Sequence, residues 1–257
     1  MDQAVLKLPQ RPVSSTGVSS YSTPVKCKIC GDRGIVLVRG GEAVQPCKCM
    51  EQRRMERLFK TSKITPAFRS KNFGNFKNDG LPVTVRRMFE SAKDYVKRFK
   101  DLGENNWLVL LGEPGCGKTH LSMAVANNLL SKGMGILYFQ YVEGMSEMKA
   151  ILRKSSDIDK DSVLDERLNA MKKVEVLVWD DLFKGRDIPT DFELERTFEV
   201  LNYRYLNLLP TIISSERNEE ELYRIDKGIA RRIIERGKGH MAIIEGIEAN
   251  YSLRGDK

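Results

Sequence analysis

The sequence predicts an α/β fold, a parallel sheet flanked by helices, and three observations carry that prediction. An apolar run at 107–111 (Trp-Leu-Val-Leu-Leu) leads into a glycine-rich loop and then a helical stretch. A second apolar run, 174–179, ends in Asp180-Asp181. A third, 211–215, follows Pro210 and ends in the hydroxyls of Ser214 and Ser215. Helical periods separate the three. Strands alternating with helices build parallel sheets, and the ligand crevice of such sheets lies at the C-terminal ends of the strands.

Residues 1–25, with Ser14-Ser15-Thr16-Gly17 and Ser19-Ser20, read as a disordered tail with little to bury. Cys27-Lys28-Ile29-Cys30-Gly31 follows, and sixteen intervening residues separate Cys30 from Cys47-Lys48-Cys49. The stretch 34–41 reads as a hairpin arm with a glycine turn that brings the second cysteine pair back to the first. Four thiolates, Cys27, Cys30, Cys47 and Cys49, suit a tetrahedral Zn²⁺ of structural type, and so small a segment has too little core to fold without one. Free thiols or a redox pair are the alternative reading of these cysteines.

The stretch 50–59 is helical in pattern with a basic face, and Pro66 stops any continuation. Phe73-Gly74-Asn75-Phe76 reads as an aromatic turn. In 86–100, Met88, Phe89, Ala92, Tyr95, Val96 and Phe99 fall on one stripe, which predicts an amphipathic helix packed on a core.

The loop after the first strand is Gly112-Glu113-Pro114-Gly115-Cys116-Gly117-Lys118-Thr119, followed by His120 and a helix that closes on Lys132-Gly133. Its glycines let backbone N–H groups curl around phosphates at a helix N-terminus. Lys118 can then reach the terminal phosphates, and the Thr119 hydroxyl can ligate Mg²⁺. About sixty residues later, Asp180 stands where a strand-end carboxylate holds that metal, usually through water. Asp181 beside it can accept a proton from the attacking water. The chemistry this implies is ATP hydrolysis. A strand at 135–140, a helix at 142–153, a polar mobile segment at 154–161 and a helix at 192–208 complete the expected alternation.

No apolar run of the 257 residues approaches the ~20 residues of a membrane span, and the first ten are too short and polar for a signal peptide. Cytoplasmic residence is the expectation, and there the five cysteines are thiols or metal ligands rather than disulfides. The net charge of +8 is uneven: residues 1–100 hold 21 Lys+Arg against 8 Asp+Glu, and the remainder 22 against 27. That imbalance favours an anionic partner for the N-terminal part.

Several ordered motifs together resemble one family. They are the stretch Gly112 to Leu121, Trp179-Asp180-Asp181, Asn202-Tyr203-Arg204-Tyr205, the stretch Pro210 to Ser215, and Ile229-Ala230-Arg231-Arg232-Ile233. The chain resembles the bacterial and phage replicative-helicase loaders, the DnaC/DnaI group of AAA+ ATPases, with the IstB transposition ATPases as close relatives. The cysteine cluster followed by Phe73-Gly74-Asn75-Phe76 is similar to the phage and Firmicutes branch. The resemblance implies an AAA+ P-loop fold at 66–257, preceded by a zinc-binding, helicase-engaging domain at 26–65. It makes Ser214-Ser215 the sensor I strand end and Arg232 the arginine finger that reaches a neighbouring subunit's nucleotide, with Arg231 as the alternative. Arg254, in Tyr251-Ser252-Leu253-Arg254, matches the sensor II arginine. Glu216 stands where the family has Asn, and Gly228, preceded by Lys227, where it tends to carry an arginine.

Only a few tens of residues follow Ser215, too few for a separate helical lid, so a neighbouring subunit would complete the site. The expectation is therefore an ATP-dependent loader using ATP, Mg²⁺ and Zn²⁺. Its partners would be a hexameric DnaB-like helicase, single-stranded DNA and, with ATP bound, copies of itself. The alternatives are an IstB-like transposition helper or a DNA-binding adaptor whose ATPase is vestigial.

Overall fold

In the computed structural model the described residues are 27–38, 43–77, 80–154 and 160–253. The tail at 1–25, Gly40-Gly41, residues 155–159 and Arg254 lie outside them. The chain divides into two compact units between Met50 and Glu51.

In the first unit, β1 (Ile35–Val38) pairs antiparallel with β2 (Ala43–Pro46), with Ile35 opposite Pro46 and Val38 opposite Ala43. The two arms of the expected hairpin are therefore present. Helix α1 (Cys49–Thr61) begins at Cys49, and from Glu51 onward its residues belong to the second unit.

In the second unit, α2 (Pro66–Arg69) starts with proline at its first position, where the missing N–H is not needed. The Phe73–Asn75 segment is a 3-10 turn closed by reciprocal bonds between Asn72 and Asn75. Helix α3 (Val83–Lys97) buries Met88, Phe89, Ala92, Tyr95 and Val96 of the stripe read from the sequence, and ends before Phe99, which lies partly buried in a 3-10 turn. It starts earlier than periodicity suggested because Pro82 acts as its N-cap. The remaining elements are β3 (Trp107–Gly112), α4 (Lys118–Ser131), β4 (Ile136–Gln140), α5 (Tyr141–Lys154), α6 (Lys160–Lys173), β5 (Val176–Asp180), α7 (Asp191–Leu206), β6 (Thr211–Ser215), α8 (Glu219–Ile225), α9 (Lys227–Arg236) and β7 (Met241–Ile244).

The five strands form one parallel sheet in the order β4-β5-β6-β3-β7. Both faces are covered. Leu108 and Leu110 of β3 bury against one set of core residues with Met88 and Leu121, while Trp107, Val109 and Leu111 bury against another with Trp179 and Ile233. Each such fully buried side chain contributes about 1.5–3 kcal/mol relative to exposure. Register brings the strand ends level: Leu111 sits opposite Ser215, Gly112 opposite Ile244, and Gln140 opposite Asp180.

Further elements depart from the sequence expectation. Helix α6 replaces the end of the stretch read as mobile, and buries Leu164, Leu168 and Met171 at helical spacing. Helix α7 ends at Leu206, and Leu208 then takes a positive φ of 54°. Strand β7 went unanticipated because its four residues carry little periodic signal, and pairing with β3 is what makes them a strand. Residues after β6, as far as Leu253, form α8, α9, β7 and two 3-10 turns. No helix among the described residues is long and apolar enough to cross a membrane.

Candidate nucleotide site

The loop between β3 and α4 is shaped by glycines in backbone conformations that other residues rarely adopt. Gly112 has φ 105°, and a Cβ there would lie 1.9 Å from the Ile244 carbonyl oxygen of β7. Gly117, at the N-cap of α4, has φ 97°, and a Cβ there would meet the Phe76 ring at 2.6 Å. The loop is held from both sides: Glu113 N–H donates to Ile244 O at 2.9 Å, and Tyr251 N–H to Gly115 O at 2.9 Å. Lys118 is 5% exposed, and its ammonium donates to the carbonyls of Gly112 and Glu113, each at 2.6 Å. Cys116 is buried, and burial pushes its thiol up. His120 sits with Nε2 3.0 Å from both Asn72 O and Asn75 Oδ1, its ring edge-on to Phe76.

Asp180, at the end of β5, is 2% exposed and gathers three hydroxyls. Thr119 Oγ1 donates to its Oδ1 at 3.0 Å, Ser214 Oγ donates to the same oxygen, and Tyr138 OH donates to Oδ2 at 3.0 Å. Burial pushes the Asp180 carboxyl up and the neighbouring Asp181 charge adds to that, while the hydroxyls pull against it. Hard oxygen donors are what Mg²⁺ takes, so Thr119 Oγ1 and Asp180 Oδ1, 3.0 Å apart, fit that ion chemically. Strand β6 lies between β3 and β5, which is why Ser214 can reach Asp180.

Asp181 adopts φ 56° at the first step of a tight turn. Its N–H donates to Ser214 Oγ at 2.9 Å, Leu182 N–H donates to Ser214 O at 2.8 Å, and Ser215 Oγ donates to Leu182 O at 2.6 Å. Lys184 closes the turn, with its ammonium 3.0 Å from Asp181 Oδ2 and 2.8 Å from Glu216 Oε1. Burial works to lower the Lys184 pKa, but these two carboxylates outweigh it and the net shift is upward.

A cleft of about 540 Å³ joins these parts. The loop from Pro114 to His120 lines it together with Asp181, Lys184 and Glu216, and Asn75, Phe76, Leu81, Ala249 and Tyr251 also contribute to its walls. The volume suits a small-molecule ligand, and the walls are part polar and part apolar, as a phosphate-bearing base would need.

The arginines stand apart from that lining. Arg232, on α9, donates from Nε to Asn202 Oδ1 at 3.0 Å and from Nη1 to Gly228 O at 2.8 Å, with its guanidinium 4.7 Å from the Phe198 ring centre. Arg231 has a side chain 77% exposed, with Glu235 at 3.8 Å. Arg204 of the Asn202-Tyr203-Arg204-Tyr205 motif is fully buried, donating to Thr211 Oγ1 and to the carbonyls of Met171, Lys172, Val174, Glu175 and Pro210. It ties the end of α6 to the starts of β5 and β6 and is structural.

In the first unit, the Cys27, Cys30, Cys47 and Cys49 sulfurs all lie within 4.8 Å of one another. Cys27 and Cys47 Sγ are 3.8 Å apart, and Cys30 and Cys49 Sγ 3.5 Å. A tetrahedron with Zn–S bonds of about 2.3 Å has edges of about 3.8 Å, so the four sulfurs fit zinc. Gly34 N–H donates to Cys30 Sγ at 3.3 Å, and N–H groups of Cys30 and Ile29 hold the Cys27 thiol down to about 6.

Sequence reasoning missed Tyr138, Lys184 and the neighbourhood of β7. Tyr138 hides inside an apolar strand, and Lys184 is an unremarkable lysine until the turn folds it back over Asp181.

Comparison with known proteins follows the same lines. The IstB-like ATP binding protein model matches residues 46–254. The phage-like element PBSX protein XkdC of Bacillus subtilis (strain 168) is 38% identical, over 97% of this chain and 95% of that protein. The replicative helicase loader DnaC of Escherichia coli (strain K12) is 26% identical, over 71% of this chain and 69% of its own. A crystal structure of the DnaC helicase loader superposes with a TM-score of 0.58 at 22% identity, covering 70% of this chain and all of that one, and shows the shared fold. A family match that takes in the phosphate loop, the paired aspartates and the whole sheet makes this chain a member of the IstB-like ATP binding protein family, with the AAA+ P-loop fold.

Proposed function

We propose that the chain is an ATP-hydrolysing switch that loads a replicative DNA helicase onto single-stranded DNA. The observation that carries the ATPase part is the Asp180 carboxylate, buried and bonded to Thr119 of the phosphate loop, with Asp181 beside it in the same cleft as Lys118. The loading role is supported by the DnaC relative, which is named as a replicative helicase loader.

In this reading Gly112 to Thr119 wrap the phosphates with backbone N–H groups, and Lys118 exchanges its loop carbonyls for phosphate oxygens. Thr119 and Asp180 hold Mg²⁺, which when bound neutralises charge developing on the phosphates. Asp181 orients the attacking water and takes its proton. Ser214 and Ser215 tie that turn to β6. Arg232 suits the finger role better than Arg231: it is braced by Asn202 and Phe198, and its Nη2 makes no hydrogen bond among the described residues. Arg254 is proposed as the second sensor. The zinc-binding segment, 26–65 by the sequence reading, engages the helicase.

The resemblance to the IstB transposition ATPases also fits a transposition helper, and the chain's family is IstB-like. Pull-down with the hexameric replicative helicase of the host, with and without ATP, separates the two. A nucleotide-dependent complex is expected. Capture of a transposase and no helicase would overturn the loader reading.

A further inference from the structure

Glu216 occupies the position where the family resemblance led to an expectation of Asn. In the structure its carboxylate holds the Lys184 ammonium at 2.8 Å, and Lys184 in turn touches Asp181 Oδ2 at 3.0 Å. All three residues line the cleft that contains Lys118 and Thr119. The turn that presents Lys184 is rigid. Leu182 and Phe183 are buried, Phe183 packs edge-on against Tyr141, and three hydrogen bonds fasten residues 181 and 182 to β6. Lys184 N–H also donates to Asp181 O at 3.1 Å, closing the turn.

The arrangement has a chemical consequence for any anion entering the cleft. An ammonium paired with Asp181 occupies the carboxylate that the proposed function needs as a base. Its side chain is 39% exposed, and solvent-screened ion pairs of this kind are weak, so the partner is easily exchanged. A phosphate group carries more charge than a carboxylate and offers more acceptor oxygens, so it competes well for the same ammonium. Glu216 keeps Lys184 in place during that exchange, because it grips the ammonium from the residue after β6 and not from the turn itself.

We propose that Lys184, braced by Glu216, distinguishes a nucleoside triphosphate from a diphosphate. Lys184 caps Asp181 until a terminal phosphate arrives, then pairs with that phosphate and frees Asp181. The inference rests on the nucleotide-site reading above. It gives the Glu216 position a function that differs from a neutral polar contact: the polarity is supplied by a lysine held on a glutamate.

The test is calorimetric binding of ADP and of a non-hydrolysable ATP analogue, both with Mg²⁺, to the full chain and its variants. Lys184→Met should weaken the triphosphate analogue about tenfold, the worth of one partly screened charge-assisted bond, and change ADP affinity less than twofold. Lys184→Arg should restore most of the discrimination, and Glu216→Gln should lose part of it. Equal weakening of both nucleotides would mark Lys184 as structural and overturn the proposal, as would no change in either. Lys118→Ala serves as the control. If the unmodified chain binds neither nucleotide, or Lys118→Ala binds both as tightly, the site reading itself falls and this inference with it. A Lys118-dependent site that ignores Lys184 overturns the inference alone.

Discussion

At the scale of single residues, the aspartate that ends β5 and the one that follows it have the same chemistry and opposite surroundings. Asp180 is sealed under three hydroxyls, and Asp181 is turned into the cleft by a backbone with positive φ. A buried, hydroxyl-bonded carboxylate suits a metal, whereas one at the cleft wall suits proton transfer. Asp181→Asn should therefore bind ATP nearly as well as the unmodified chain and release phosphate at least about a hundredfold more slowly. Lys118→Ala should fail at the earlier step, binding itself. Comparable hydrolysis by Asp181→Asn and the unmodified chain would remove Asp181 from the mechanism.

Individual elements show how side chains fasten the scaffold. Helix α7 starts with a capping box: Thr190 N–H and Oγ1 donate to Glu193 Oε2 at 2.7 and 3.0 Å, and Lys149 donates to Glu193 Oε1 at 2.8 Å. Burial alone would raise the Glu193 carboxyl, but these donors outweigh it and the net shift is downward. A carboxyl depressed by folding stabilises the protein above its unfolded pKa, and that contribution fades as pH falls through the folded pKa. Glu193→Gln should thus cost about 1 kcal/mol at pH 7, and urea titrations should show the deficit shrinking once pH falls below the ordinary glutamate value of about 4.3 and vanishing only below the depressed folded value. A deficit that stays constant with pH would mean the carboxylate charge contributes nothing. The cysteine hairpin makes a different prediction. Two strands of four residues cannot be stable alone, so the four sulfurs need a tie. Purified protein should hold about one zinc per chain, and Cys27→Ser should lose it while ATP binding persists. Metal analysis that finds no zinc, in protein never exposed to chelators, would refute the assignment.

For the whole molecule, the question is whether one chain completes its own site. The cleft is lined by the phosphate loop, the turn after β5 and residues near the C-terminus, and neither Arg231 nor Arg232 is among the lining residues. Arg232 is braced away from its own cleft by Asn202 and Phe198, and in the proposed reading it serves another copy. Arg232→Ala should bind ATP nearly normally, and its hydrolysis should fall by a factor of about 10³. Mixing Arg232→Ala with Lys118→Ala should recover part of the activity, because some junctions would join an intact loop to an intact finger. No recovery in demonstrably mixed assemblies would confine Arg232 to its own chain.

Local patterns were sufficient for the chemistry-bearing core. Glycine spacing, an apolar run ending in aspartates and a strand ending in hydroxyls each depend on short-range constraints, so 107–119, 176–181 and 211–215 could be read directly from the residues. The cysteine spacing was equally legible, and the structure brings those sulfurs within 4.8 Å. Helix α6 was readable in principle from Leu164, Leu168 and Met171, but its polar flanks hid the period. What depended on tertiary structure was every relation between distant segments. Strand β7 exists because β3 offers its backbone edge, and the need for glycine at 112 comes from that neighbour. Asn202 and Arg204 stand two residues apart in one motif, yet one braces Arg232 and the other ties three segments of the fold together. Lys184 and Glu216 look like surface charges thirty-two positions apart until parallel pairing of β5 with β6 sets them on one cleft wall. Sequence determines local geometry through sterics and periodicity; which charges meet is decided by packing, because the distances that govern electrostatics are set only when the sheet closes.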